Sequence, residues 1–352
     1  MAFYQMLRNE SLYPRGEASP GQAGWIAARL LRLRALLNGE ITSKRQPDTL
    51  IIGSWNIRHF DGGRLRLPES YHYIAEIIDH FDICAVQEVK DIKAVERLVR
   101  LLGPNWDFFV NDSSGPGRGN NERMAFLFDR RKVSFRHLIG ELVLPKGALP
   151  GDEQIGRTPF FASFQAGWFK FTLCSAHIVF EEQANRPLRE DEIRVIATAL
   201  AKRAKEADEV HVMLGDMNIE DPGDAGMQAL VNNGFKAVPL GPTTLSGNRH
   251  YDQIAFTGPH NETNLVGHGV LRWQDAVFTD AEAEGYRSVA PTDGEPDGGE
   301  PDADWPRAYR AWRTHEMSDH LPVWIEIRTD YSNEYLLETQ RLLPGEGRPP
   351  TR

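Results

Sequence analysis

The chain is expected to be an α+β protein built in layers, and three observations lead there. Apolar runs of strand length alternate with stretches whose apolar residues recur at helical spacing, from about residue 49 to residue 327. With 352 residues and 41% hydrophobic content, the chain can bury one large layered core or two ordinary ones. Five of the strand-like runs carry an acid, an amide or a histidine at one tip, which is a pattern of site construction as well as of folding.

In chain order, residues 1–48 form an N-terminal extension in which 25–37 read as an amphipathic helix with arginines on one side. That helix is expected to pack on the edge of the main domain, the alternative being a basic surface for a partner. The main domain is placed at 49–328. It opens with the strand Leu50-Ile51-Ile52; Ile74, Ile77, Ile78 and Phe81 then recur at helical spacing before a strand over 82–89. Ile92, Val95, Leu98, Val99 and Leu102 mark the next helix, with Gly103 as its C-terminal cap. Further strands are expected at 123–128, 160–164, 170–176, 210–214, 252–256 and 321–327, and a helix at 188–205. Over 281–306 the pattern stops. The tandem Gly294-Glu295-Pro296-Asp297 and Gly299-Glu300-Pro301-Asp302 offers no aliphatic residue to bury, so a mobile acidic loop is expected. Pro296 and Pro301 interrupt the acid spacing that a calcium loop would need. The tail, 329–352, has one helical patch at 333–343 and a Gly/Pro-rich end expected to be disordered.

The net charge of −10 is unevenly spread, because residues 280–304 carry nine acids against the single Arg287. The remainder is nearly balanced, so a polyanionic partner is not excluded, although a strong salt-resistant grip on one is not expected. No run approaches about 18 consecutive apolar residues, and the first residues carry Arg8, Glu10, Arg15 and Glu17. Neither a spanning helix nor an export signal is expected. Cys84 and Cys174 each lie in an apolar strand, where free buried thiols in a reducing, cytoplasmic setting are the expected state.

Asp or Asn at one strand end commonly only shapes a turn. Here Asn56, Glu88, His177 and Asp216 with Asn218 follow apolar runs and Asp319 with His320 precede one, and together these strand tips suggest metal-assisted phosphate chemistry. A phosphodiester repels nucleophiles, so its hydrolysis needs a cation on the phosphoryl oxygens, a base for water and an acid for the leaving oxygen. Glu88, Asn56 and Asp319 offer the oxygen donors that Mg2+ prefers. His177 and His320 can move protons near neutral pH, with Asp252 and Glu122 as candidates to fix their tautomers. A zinc site is disfavoured by the absence of C-x-x-C and H-E-x-x-H, and a serine hydrolase or P-loop enzyme by the absence of those motifs.

The ordered set Trp55-Asn56-Ile57-Arg58, Val86-Gln87-Glu88-Val89-Lys90, Ser175-Ala176-His177, Gly215-Asp216-Met217-Asn218, Tyr251-Asp252-Gln253-Ile254 and Ser318-Asp319-His320-Leu321-Pro322-Val323 resembles the endonuclease/exonuclease/phosphatase superfamily, nearest to deoxyribonuclease I-like nucleases. The resemblance spans about 49–328. It implies a four-layer α/β/β/α sandwich of two mainly antiparallel sheets, and a Mg2+-dependent nuclease acting on DNA, with Mn2+ or Ca2+ able to substitute or assist. It also implies Glu88 as principal metal ligand with Asn56 and Asp319 nearby, and Asp216 and Asn218 orienting water and phosphate. His177 held by Asp252 and His320 held by Glu122 would form the acid/base pair, in interchangeable roles. Arg58, Lys90 and Arg157 would contact phosphates, which position a strand without reading sequence. Two departures stand out: Asn120 takes the place of a tyrosine that would enter the minor groove, and the family's disulfides have no counterpart. A phosphatase or phosphodiesterase for a small, inositol or lipid phosphate is the alternative activity. A non-catalytic binding protein on the same scaffold is disfavoured, since none of the expected metal, base or phosphate positions is replaced. No protein partner is indicated.

Overall fold

A computed structural model describes residues 2–8, 20–41, 46–63, 66–114, 119–180, 189–259, 265–290 and 305–342. Its first long strand, β1 (Thr49–Phe60), is buried from Thr49 through Ile57, so both of its faces are covered. Leu50 and Ile52 point to one apolar cluster and Ile51 and Trp55 to another, as the two-residue period of a strand requires.

The strands that follow are β2 (Ile83–Val89), β3 (Trp106–Val110), β4 (Arg123–Asp129), β5 (Ser134–Glu141), β6 (Phe160–Ala166), β7 (Phe169–His177), β8 (Val210–Asp216), β9 (Lys236–Ala237), β10 (Asp252–Thr257), β11 (Leu265–Val270) and β12 (Val323–Arg328). They form two six-stranded sheets, in the orders β11-β12-β1-β2-β4-β3 and β5-β6-β7-β8-β10-β9. Every pairing is antiparallel except β1 with β2 and β7 with β8. The inner faces meet in one cluster to which Leu50, Ile83, Phe126 and Ile325 contribute from the first sheet and Phe160, Leu173, Val212 and Ile254 from the second. Phe164 sits at the middle of it, fully buried, with ring centroids 5.4 Å from Phe128 and 5.9 Å from both Phe126 and Phe171. Truncating a ring enclosed in this way costs about 3–5 kcal/mol.

Helices α1 (Pro20–Glu40), α2 (Pro68–Asp79), α3 (Ile92–Leu102) and α7 (Trp305–Glu316) cover the outer face of the first sheet, and α4 (Arg189–Ala207) and α5 (Ala225–Asn232) that of the second. The four-layer sandwich is therefore the one that the sequence implies. Asp91 caps α3 through the Lys93 N–H at 2.9 Å, and Gly103, at φ 100°, ends it as expected. Among the described residues no helix is long and apolar enough to cross a membrane.

Helix α1 buries Ile26, Leu30, Leu33 and Leu37 in the same cluster as α2 and α3. Its arginines are not a free basic surface: Arg29 and Arg32 both bind Glu282, and Arg34 binds Glu76. The segment 281–306 differs from a uniform loop, since residues 283–286 form α6 (Ala283–Tyr286) and Tyr286 packs fully against Phe278 and Trp312. The acidic tandem itself lies outside the described residues. The last described helix, α8 (Ser332–Leu342), matches the helical patch of the tail.

Candidate active site

The carboxyl ends of the two parallel pairs meet, because Asn56, where the regular pairing of β1 with β2 stops, donates from Nδ2 to Asp216 Oδ2 of β8 at 3.0 Å. Register does most of the positioning. Asp216 is paired with His177 of β7 on one side and Asp252 of β10 on the other, while an isolated bridge from Thr244 to His320 draws the start of β12 alongside. Gly215 makes the His177–Asp216 pairing possible: at φ 125°, any Cβ there would collide with the Ala176 carbonyl oxygen. A polar bridge crosses the sandwich just below, as Gln87 Nε2 donates to Ser175 Oγ at 2.9 Å.

Asp216 is the hub. Its Oδ1 accepts from the Asn218 N–H at 2.9 Å, and its Oδ2 lies 3.5 Å from His177 Nε2 and 3.6 Å from His320 Nε2. Burial pushes its carboxyl above the usual range, opposed by the two imidazoles and reinforced by Asp252. Asn218, at φ 51°, gives its side-chain N–H to the Ile178 carbonyl at 2.7 Å and so braces the loop that carries Asp216.

Each imidazole is backed by a carboxylate, but with partners exchanged relative to expectation. His320 Nδ1 donates to Asp252 Oδ2 at 2.8 Å, and His177 Nδ1 stands 3.0 Å from Glu122 Oε2. The exchange follows from topology. Leu321 N–H bonds the Thr243 carbonyl and Asp252 N–H bonds Thr243 Oγ1, which ties the starts of β12 and β10 together. Glu122, preceding β4, instead reaches the end of β7. Burial opposes the charge on His320, yet Asp252 and Asp216 outweigh it and hold the ring well above its usual pKa. Burial likewise opposes the charge on Glu122, but His177, Arg157 and Lys90 hold its carboxyl down at about 2.

Lys90 and Arg157 therefore both lie on Glu122, at 3.3 and 2.7 Å, rather than free at the surface. Arg58 bonds Thr314 through its guanidinium and Ser318 Oγ through its N–H. Asp319 faces a cavity of about 500 Å³ beside His320, which Thr244, Arg249, Tyr251 and Arg310 also line.

Glu88 has a left-handed backbone, φ 60°, and its two oxygens accept from Asn56 Nδ2 at 2.9 Å and His59 N–H at 2.8 Å. Burial would raise its carboxyl, but the His177 ring and these two hydrogen bonds hold it below the usual range despite Glu122. Asn56 Oδ1 is buried without a hydrogen-bond partner. A charged carboxylate and an orphaned amide oxygen fit a hard divalent cation. His59 and Ser318 received no role from sequence reasoning, although both lie within or beside the motifs. His59 sits with Glu88 and Glu122 within 4.8 Å; Ser318 Oγ donates to the Asn56 carbonyl at 2.6 Å and accepts from His320 N–H at 3.0 Å.

Known proteins share this framework. A protein named deoxyribonuclease from Thioalkalivibrio sp. (strain K90mix) is 28% identical over 206 residues, 56% of this chain and 54% of that one. Deoxyribonuclease-1 of Equus caballus is 30% identical over 148 residues, 40% of this chain and 49% of that one. The chain thus matches about half the length of each. An endonuclease/exonuclease/phosphatase family protein from Bacteroides thetaiotaomicron superposes with a TM-score of 0.53 at 15% identity, covering 82% of this chain and 100% of that one, a likeness of fold. The profile of the endonuclease/exonuclease/phosphatase family matches residues 53–320, which hold the site and every strand except β12 and the start of β1, so the chain belongs to that family.

Proposed function

We propose that the chain is a Mg2+-dependent phosphodiesterase that cuts DNA with low sequence specificity, by attack of water in line with the leaving oxygen. The observation that carries this reading is the convergence of two carboxylate-backed imidazoles on Asp216, 3.5 and 3.6 Å away, beside Glu88 and Asn56. Glu88 and Asn56 would hold the cation, with Asp319 on the cavity side. When bound, the metal would neutralise charge on the phosphoryl oxygens.

The protein's own groups divide the remaining work. His320, held protonated by Asp252, is the general acid for the leaving oxygen. His177, oriented by Glu122, is then the base for water, and Asp216 fixes that water between the rings. Arg58, two residues after Asn56 and bonded to Thr314, would turn to a phosphate. Lys90 and Arg157 reach a phosphate by leaving Glu122. Arg249, paired with Glu220, and Arg310, 3.9 Å from Asp280, line the neighbouring cavity and would reach a flanking phosphate by leaving those carboxylates, which suits a strand better than an isolated group. DNA as that strand is supported by the two relatives named as deoxyribonucleases. The free, buried Cys84 and Cys174 are compatible with a reducing compartment.

A substrate panel tests the reading. Linear and supercoiled DNA, a soluble inositol phosphate and a phospholipid vesicle, each with Mg2+, should give strand scission on DNA and little phosphate release elsewhere. Phosphate release without DNA cleavage would replace this reading with that of a phosphatase.

A further inference from the structure

The pairing of β1 with β2 runs in register to Asn56 and Gln87 and resumes only at Phe60 and Val89. Ile57, Arg58 and His59 thus stand opposite Glu88 alone. Irregularities of this kind increase twist and re-aim side chains. Here both ends of the irregularity are left-handed, His59 at φ 45° and Glu88 at φ 60°, and the imidazole is turned onto the carboxylate. His59 Nδ1 lies 3.4 Å from Glu88 Oε2, the oxygen that also accepts the His59 N–H. The ring is 46% exposed and open to a solvated ion.

Two donors placed cis on one octahedral cation, each about 2.1 Å from it, stand about 3 Å apart. The His59–Glu88 separation is close to that. A solvated ion pair would also account for the distance, but it leaves the second observation unexplained: Asn56 Oδ1, 1% exposed as a residue, has no hydrogen-bond partner while its Nδ2 binds Glu88. The imidazole nitrogen and the carboxylate thus stand together, beside the amide whose oxygen is left unpartnered. Glu122, within 4.8 Å of His59 and Glu88, is already engaged by Lys90, Arg157 and His177.

We propose that His59 is a nitrogen ligand of the cation held by Glu88, and that the resulting mixed donor set selects Mn2+ over Mg2+. Mg2+ demands hard oxygen donors, whereas Mn2+ lies further toward the transition metals that accept imidazole. The inference rests on the metal reading of this site and adds to it the identity of the preferred ion.

The test uses the full chain stripped of metal with EDTA, titrated with Mn2+ and followed by electron paramagnetic resonance, with Mg2+ as competitor. Wild type should bind Mn2+ about tenfold or more tightly than Mg2+, and the pulsed spectrum should show coupling to a directly bound nitrogen. His59→Ala should lose that coupling and lose about tenfold in Mn2+ affinity, with Mg2+ affinity nearly unchanged. His177→Ala and His320→Ala should keep the coupling. Mn2+ bound to wild type without nitrogen coupling, or coupling that survives His59→Ala, would overturn the assignment while leaving the metal site standing. Failure of wild type to bind either ion would overturn the metal reading with it.

Discussion

Replacing Asp252 by Asn removes a negative charge from His320 while keeping side-chain size and hydrogen-bonding capacity. Asp252 Oδ2 accepts from His320 Nδ1 at 2.8 Å, with Asp252 fully buried and His320 8% exposed. A hydrogen bond to a charged group contributes about 1.5–3 kcal/mol, and about 1.36 kcal/mol corresponds to one pKa unit. The proton on His320 should therefore be released at lower pH in the variant than in wild type. A histidine raised above 6.5 in the fold stabilises it below pH 6.5, and that contribution is lost as pH rises through the folded value. The variant should thus melt lower than wild type near pH 6, with the difference shrinking at alkaline pH. Loss of a protonated general acid should slow cleavage at neutral pH by about 10²–10⁴-fold. Heteronuclear NMR of the imidazoles, assigned with His320→Gln, reads the titration directly. Glu122→Gln should instead alter the His177 resonances and leave His320 in place. If Asp252→Asn moves His177 and leaves the His320 curve unchanged, the pairing described here is refuted.

Three further outcomes follow from other parts of the structure. Burial, and then the charge of Glu316, push Glu69 up from 4.5 to about 7, so the fold keeps a proton that the unfolded chain has released and stability falls as pH rises from 4.5 to 7. Glu69→Gln should raise the melting temperature at pH 8 and leave it unchanged below pH 4.5; identical shifts at both pH values in calorimetry would contradict this. Gly215→Ala should destabilise the fold by about 2 kcal/mol or more, through the clash with the Ala176 carbonyl at φ 125°. Urea denaturation that leaves the midpoint unmoved would refute the collision. Exchanging Asp293, Glu295, Asp297, Glu300, Asp302 and Asp304 for their amides should tighten DNA binding and steepen its salt dependence, because six negative charges that repel a polyanion are removed; unchanged affinity and salt slopes would refute this.

The central strands were legible because they are buried on both faces: β2, β4, β7, β8 and β10 all coincide with apolar runs. The edge strands β5 and β11 were not, since half-exposed segments such as Ser134–Glu141 and Leu265–Val270 mix His and Gly with their aliphatic residues. Helix α7 escaped because its core face is aromatic rather than aliphatic, although Trp305, Tyr309 and Trp312 do recur at helical spacing. Within the site, residue types announced the chemistry, while the acid serving each histidine depends on which strands are neighbours. Asp252 and Glu122 are equally plausible partners along the chain, and only the link between the starts of β10 and β12 decides between them. His59 carries no motif of its own and meets Glu88 only through a local irregularity of pairing. Deleting 281–306 would destabilise the fold, since it would remove the buried Glu282, Tyr286 and Trp305.

The most direct test of the central claim is nicking of supercoiled plasmid by wild type with Mg2+, wild type with EDTA, and Asp216→Ala with Mg2+, with circular dichroism confirming that the variant is folded. The geometry predicts nicking in the first reaction and none in the other two, because Asp216 is where both imidazoles, Asn56 and Asn218 converge. Nicking that survives in folded Asp216→Ala, or no nicking by wild type, would contradict it.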